Sequence, residues 1–198
     1  AEQKGQRIDY PDLHGFAMDL FRAKRYVQCS DLCRDALMER ASTRNPNDWH
    51  GLDLLATVRA GRFDEAARRL PEALFRAELY DADTQFLAWV ELLEARGQTA
   101  DAAVVFHGAT KHVSYFKVIA EAYGASNLER FGKPSAASRA QLREQWLALT
   151  EPLWRPDLDE PSLQRAISSD REIGCKEREA KGRALLESRT RERPVDRI

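Results

Sequence analysis

The sequence predicts an all-α fold built from antiparallel helix pairs and followed by an extended connector and a charged helical tail. Three observations predict it. Ala, Leu, Arg and Glu dominate, β-branched residues are sparse, and Gly (10) and Pro (8) are few for 198 residues, a balance that favours helix throughout. Apolar residues recur at three- and four-residue spacing, as in Leu13, Phe16, Ala17, Leu20 and Phe21, which puts them on one helical face. A turn also recurs: Lys24, Gly61, Gly97 and Gly132 begin similar segments 37, 36 and 35 residues apart.

Each turn is followed at fixed intervals by residues suited to packing. Five positions on come Cys29, Ala66, Ala102 and Ala137, all small enough for two helices to approach closely. Nine positions on come Cys33, Leu70 and Phe106, then Gln141; twelve on come Ala36, Ala73 and Ala109, then Glu144. Three copies agree, and the fourth decays in its second half. Upstream of each turn lies a helix with its own apolar face: Leu52, Leu54, Leu55 and Val58 in the second copy, and Phe86, Trp89, Val90 and Leu93 in the third.

Caps and breakers divide the chain. Residues 1–11 form an N-terminal arm and 12–149 the helical-repeat array. Within the array, helices are predicted at 12–22, 27–41, 48–60, 64–78, 83–96, 99–111, 114–123 and 135–149, with Pro71 kinking or splitting the fourth. Residues 150–169 read as a proline-rich connector with a short helix, since Pro152, Pro156 and Pro161 fall within ten residues. Residues 170–198 are a charged tail with nine Lys/Arg and seven Asp/Glu, too polar to bury a core alone. The tail is expected to dock along a partner; the plainer alternative is a solvated helix ordered by the array itself.

Gly61, Phe63, Ala66, Leu70 and Ala73 carry a family likeness. Gly, an aromatic at +2, Ala at +5, a large apolar residue at +9 and Ala at +12 resemble the helix-turn-helix of a tetratricopeptide repeat, and the pentatricopeptide repeat has a similar turn. The resemblance covers roughly residues 12 to 149. The period is longer than the usual 34, and the usual Trp-Leu-Gly signature is displaced, so the likeness is to a degenerate array. A short array of this kind is also similar to the helical-repeat accessory subunits on the F1 head of protist mitochondrial ATP synthases. That resemblance implies binding to the outside of the ATP synthase α subunit, on the matrix side of the mitochondrion, without a part in catalysis. A cytoplasmic location is the alternative.

Composition excludes some functions. The net charge is −1 and the pI about 6.5, without the basic excess that phosphate neutralisation demands of most nucleic-acid binders. Three cysteines make no disulfide framework, and Cys29 and Cys33, one turn apart, read as buried thiols. No run of 18 apolar residues suggests a membrane span. The start at Ala1 fits a processed or a trimmed chain equally.

Catalytic and metal motifs do not assemble. His107 and His112 are five apart, off a common helical face, and no His or second Cys pair completes a zinc site around Cys29 and Cys33. Gly132-Lys133 lacks the upstream glycine of a phosphate loop. Asp157, Asp159 and Glu160 read as a solvated loop beside prolines. No enzyme activity and no cofactor are therefore expected.

The expected role is a structural or accessory subunit that binds other proteins. Trp89 and Trp146 sit at helical core positions, and Trp49 is a further aromatic anchor candidate. Trp154 and Arg155 on the connector, with Leu185 and Leu186 on the tail, are the partner-binding candidates, because exposed aromatic, arginine and apolar residues concentrate binding energy. The alternative is a pentatricopeptide-type RNA binder of an organelle, for which only Lys111, His112, Lys117 and Lys133 supply local basic candidates. A peptide-binding chaperone module ranks third, since no Lys/Arg clamp recurs on the first helices.

Overall fold

In a computed structural model, residues 10–38, 46–76, 82–112, 116–125, 128–131 and 136–192 are described. They form ten α-helices: α1 (Tyr10–Arg22), α2 (Tyr26–Met38), α3 (Pro46–Arg59), α4 (Phe63–Arg76), α5 (Asp83–Ala95), α6 (Thr99–His112), α7 (Phe116–Ala122), α8 (Ala136–Thr150), α9 (Glu160–Ile173) and α10 (Lys176–Glu192). Two short 3-10 helices, Leu128–Phe131 and Glu151–Leu153, complete the fold, and the described residues include no strand. Helices α1 to α8 stand within a few residues of their predicted bounds. Pro71 lies inside α4 without splitting it. The fourth turn at 132–135, residues 1–9 of the arm and 193–198 of the tail lie outside the described residues.

Helices α1, α3, α5, α7 and α9 end alike. Lys24, Gly61, Gly97, Gly124 and Gly174 all have positive φ, between 58° and 87°. In each case the following amide reaches back five residues to a helix carbonyl, as in Arg62 N to Thr57 O (3.2 Å), Gln98 N to Leu93 O (2.9 Å) and Cys175 N to Asp170 O (2.7 Å). The left-handed residue itself donates to the carbonyl three back, as Gly61 N does to Val58 O (2.9 Å). These are Schellman closures, which satisfy the last carbonyls of a helix while reversing the chain. Glycine takes the conformation freely; Lys24 occupies it with a Cβ.

The core follows from burial on both sides of the central helices. Leu52, Leu54, Leu55, Ala56 and Val58 of α3 and Phe86 to Val90 of α5 are all buried, so these two helices are covered nearly all round. Around them pack α2, α4, α6 and α7, with α8 on α6. The nine +5, +9 and +12 positions of the first three copies are buried: Cys29, Ala66, Ala102, Cys33, Leu70, Phe106, Ala36, Ala73 and Ala109. In the fourth copy Gln141 and Glu144 are exposed, and α8 buries Leu142 and Trp146 instead. Gly108 of α6 faces Leu142 so closely that a Cβ would lie 2.1 Å from its Cδ2, which explains how α6 and α8 touch.

The helix ends are tied across the turns. Arg59 at the end of α3 forms a two-point pair with Glu91 of α5 (2.9 and 2.6 Å), donates to the Tyr123 carbonyl after α7 (2.5 Å) and lies 4.8 Å over the Phe21 ring of α1. Tyr123 meets Phe21 edge-on at 5.2 Å and donates to the Met18 sulfur at 3.5 Å. One arginine thus joins the turn ends of α1, α3, α5 and α7.

The C-terminal region forms a helical hairpin. Asp159 caps α9 by accepting from the Ser162 amide at 2.8 Å, with Pro161 in the first turn, a strong start signal. Gly174 closes α9 and α10 runs back along it. The domain boundary expected between residues 169 and 170 falls inside α9, because Leu163, Ala166, Ile167 and Ile173 make one continuous apolar face.

Candidate functional site

Two places gather polar chemistry against apolar walls. The first lies among α2, α3 and α4. Asp53 has no exposed surface and stands between the buried Leu52 and Leu54, so its carboxylate must find partners within the fold. Ser30 of α2 donates to it at 2.6 Å, Arg69 of α4 pairs with it, and Thr57 shares Ser30 at 3.1 Å while donating to the Asp53 carbonyl at 2.8 Å. Arg34 of α2 extends the network to Glu65 of α4 at 3.1 Å and to Asp31 at 2.8 Å. Burial, and then the neighbouring Arg34 charge, draw the Arg69 guanidinium below its ordinary value. Cys29 and Cys33 lie beneath this network with no exposed surface. A thiol–thiol hydrogen bond lowers Cys29 and, together with burial, raises Cys33 far above the ordinary range. Above the network opens a cleft of about 440 Å³, walled by Leu37, Met38, Leu54 and Ala73 with Arg34 and Arg69 at its edge.

The second place is the C-terminal clasp. Asp170 of α9 is buried, and its two oxygens accept from four donors: Trp146 Nε1 at 3.1 Å, Trp154 Nε1 at 3.3 Å, Arg178 Nε at 2.7 Å and Arg178 Nη2 at 2.5 Å. Arg178 Nη2 also donates to Thr150 Oγ1 at 2.7 Å, and Nη1 reaches Glu151 at 3.4 Å. One carboxylate therefore joins α8, the connector, α9 and α10. The indole of Trp154 lies beside Gly182 of α10, where an added Cβ would stand 3.1 Å from its Cζ2. Beside the clasp a second cleft, about 470 Å³, opens between α8 and the start of α10.

No protein-family model, curated protein or solved structure matches the chain.

The structure places the partner-binding candidates as follows. Trp154 is half-buried and holds Asp170 through its indole N–H, leaving one face on the second cleft. Arg155 is exposed and pairs weakly with Asp157 at 3.6 Å. Leu185 and Leu186 are half-buried on α10. Arg189, one turn further, donates to the Leu158 carbonyl at 2.5 Å and to the Pro156 carbonyl, which lays α10 against the connector. Trp49, Trp89 and Trp146 are buried in the core. His14 packs edge-on against Trp49 at 5.2 Å, and His107 bonds the Phe131 carbonyl at 2.8 Å. The side chains of Lys111 and His112 and all of Lys133 lie outside the described residues.

The sequence reading missed Asp53, Asp170 and Arg178. A carboxylate inside an apolar helix was the available signal for Asp53, since such a residue is buried only when paired. Among the described residues no group of three or more His, Cys, Asp or Glu side chains could hold a metal ion, and no helix is long and apolar enough to cross a membrane.

Proposed function

We propose that this chain is a non-enzymatic, helical-repeat accessory subunit that holds protein partners within a larger assembly. The observation that carries the reading is the recurrence of one turn and one packing pattern: a Schellman closure followed by buried residues at +5, +9 and +12 in three successive copies. Helical-repeat arrays of this construction present open surfaces to partners. The two clefts support the reading, since each joins apolar walls to charged edges and so suits a protein segment. The recurrent geometry of the turns serves to reverse the chain and close the helix ends.

The finer part of the proposal is a tetratricopeptide- or pentatricopeptide-like lineage with the α subunit of the mitochondrial F1 head as the partner, on the matrix side. Its support is the resemblance of Gly61, Phe63, Ala66, Leu70 and Ala73 to the repeat and the short length of the array.

Gentle affinity purification of the chain from its native source, with and without nuclease, tests the proposal. The expected result is a protein complex at fixed stoichiometry that survives nuclease, containing F1 subunits if the finer reading holds. Partners that leave with nuclease would replace the proposal with RNA binding.

A further inference from the structure

The second cleft has a feature the clasp does not use. Four cations line it, Arg143, Lys176, Arg178 and Lys181, against two carboxylates, Glu151 and Glu177. Arg178 is committed to Asp170 and Glu151, and Lys181 pairs with Glu177 at 3.2 Å. Arg143 and Lys176 are exposed and make no ion pair among the described residues. Between them lies an apolar floor: the half-buried Leu147 and Trp154, with the Cys175 thiol nearly sealed beneath. Burial first, and then the Asp170 charge, push that thiol up to about 11, so the floor is neutral.

We infer that this cleft docks an acidic peptide segment of a partner protein, with an apolar side chain over Trp154 and Leu147 and flanking carboxylates on Arg143 and Lys176. The inference rests on the protein-binding proposal above and names the chemistry of the partner. Charge complementarity selects the occupant: two unpaired cations bracket an apolar floor, and opposite charge across an interface fixes register and speeds encounter. The size of the cleft agrees, since about 470 Å³ takes one or two large side chains. Trp154 is held in place by its bond to Asp170, so it presents a fixed aromatic face with little ordering left to lose on binding.

The test uses the full chain and a fluorescein-labelled hexapeptide with two acidic residues on each side of a Leu-Phe pair. Its controls are the amide counterpart, with Gln and Asn for the acids, and a lysine counterpart. Anisotropy titration is expected to show the acidic peptide binding at least roughly tenfold more tightly than the amide peptide, weakening with salt. Arg143→Glu combined with Lys176→Glu is expected to abolish that preference and favour the lysine peptide. Both residues are exposed, so the variant keeps the fold, and an unchanged circular dichroism melt confirms it. Equal binding of acidic and amide peptides, no binding of either, or an unchanged preference in the double variant overturns the inference. Displacement of the peptide by a single-stranded RNA at lower concentration overturns it too.

The same double variant separates this inference from the broader proposal. If wild-type chain and variant both recover the same partners at the same stoichiometry from the native source, the accessory-subunit proposal stands and the cleft inference falls. If the wild-type chain recovers no partner, the broader proposal falls itself.

Discussion

Replacing Arg178 with alanine should unfasten the C-terminal hairpin from the helices before it. Asp170 is 1% exposed and the Arg178 side chain 8%, so their pair sits where water cannot take over. Removing one partner of a buried ion pair leaves the other charge uncompensated, which costs about 3–5 kcal/mol. Here Asp170 keeps its two indole donors, Trp146 and Trp154, which moves the expectation to the lower end, about 3 kcal/mol. For a chain of this length that corresponds to a fall in Tm of about 6–12 °C. Urea unfolding followed by tryptophan fluorescence is the assay, because Trp146 and Trp154 both report on the clasp. Asp170→Asn leaves the buried Arg178 charge uncompensated and sets an amide N–H against two of the four donors, so it should cost at least as much, about 3–5 kcal/mol. The Arg178→Ala and Asp170→Asn effects should be strongly non-additive in the double variant. A loss under about 1 kcal/mol for Arg178→Ala, or simple additivity, would refute the view that this pair holds the hairpin.

Further expectations follow from backbone geometry and thiol burial. Gly182→Ala should destabilise by about 1–3 kcal/mol, since its Cβ would stand 2.5 Å from Ile167 Cγ1, whereas Gly15→Ala, with nothing within 4 Å, should stabilise by about 0.5–1 kcal/mol; thermal melts of the two variants decide. Lys24→Gly should raise stability by up to about 1 kcal/mol by relieving a positive φ of 58°, and a lower Tm would contradict the strain argument. Cys175 is raised from 9.0 to about 11, so its contribution to stability is full below pH 9 and is lost as pH rises through about 11. Wild type should therefore lose more stability than Cys175→Ala between pH 9 and 11 in parallel urea titrations, and identical pH profiles would sink that assignment.

The helices were legible in the sequence because they are apolar where they are buried. Cys29, Ala66 and Ala102 repeat at the same interval after a turn, and all three are buried. The fourth copy was harder for a physical reason. α7 has only seven residues, so its closing glycine, Gly124, comes 27 residues after Gly97 and breaks the period that pointed to Gly132. The hairpin was harder still. The face of α10 that turns inward carries Arg178, Gly182, Leu185 and Arg189, spaced by four, three and four residues but chemically mixed. Hydrophobic periodicity cannot register such a stripe, because a buried arginine and a glycine count as polar and neutral. One face of the tail is packed on α9 and the connector, a contact that the periodicity did not announce. The clasp was invisible for a related reason: Asp170 and Arg178 meet across a reversal at Gly174, and no local pattern announces a pair made by a turn. Trp154 was singled out for its setting between prolines, and it does stand at the edge of a cleft, with its indole N–H turned inward to Asp170.

The central claim is that this chain works by holding other proteins, and the most direct measurement is the composition of the complex it forms in its native source after nuclease treatment, quantified by absolute peptide counting. The account predicts a whole-number ratio of this chain to one or more protein partners, unchanged by nuclease. A chain recovered alone, or one whose partners vanish with the nucleic acid, would contradict it.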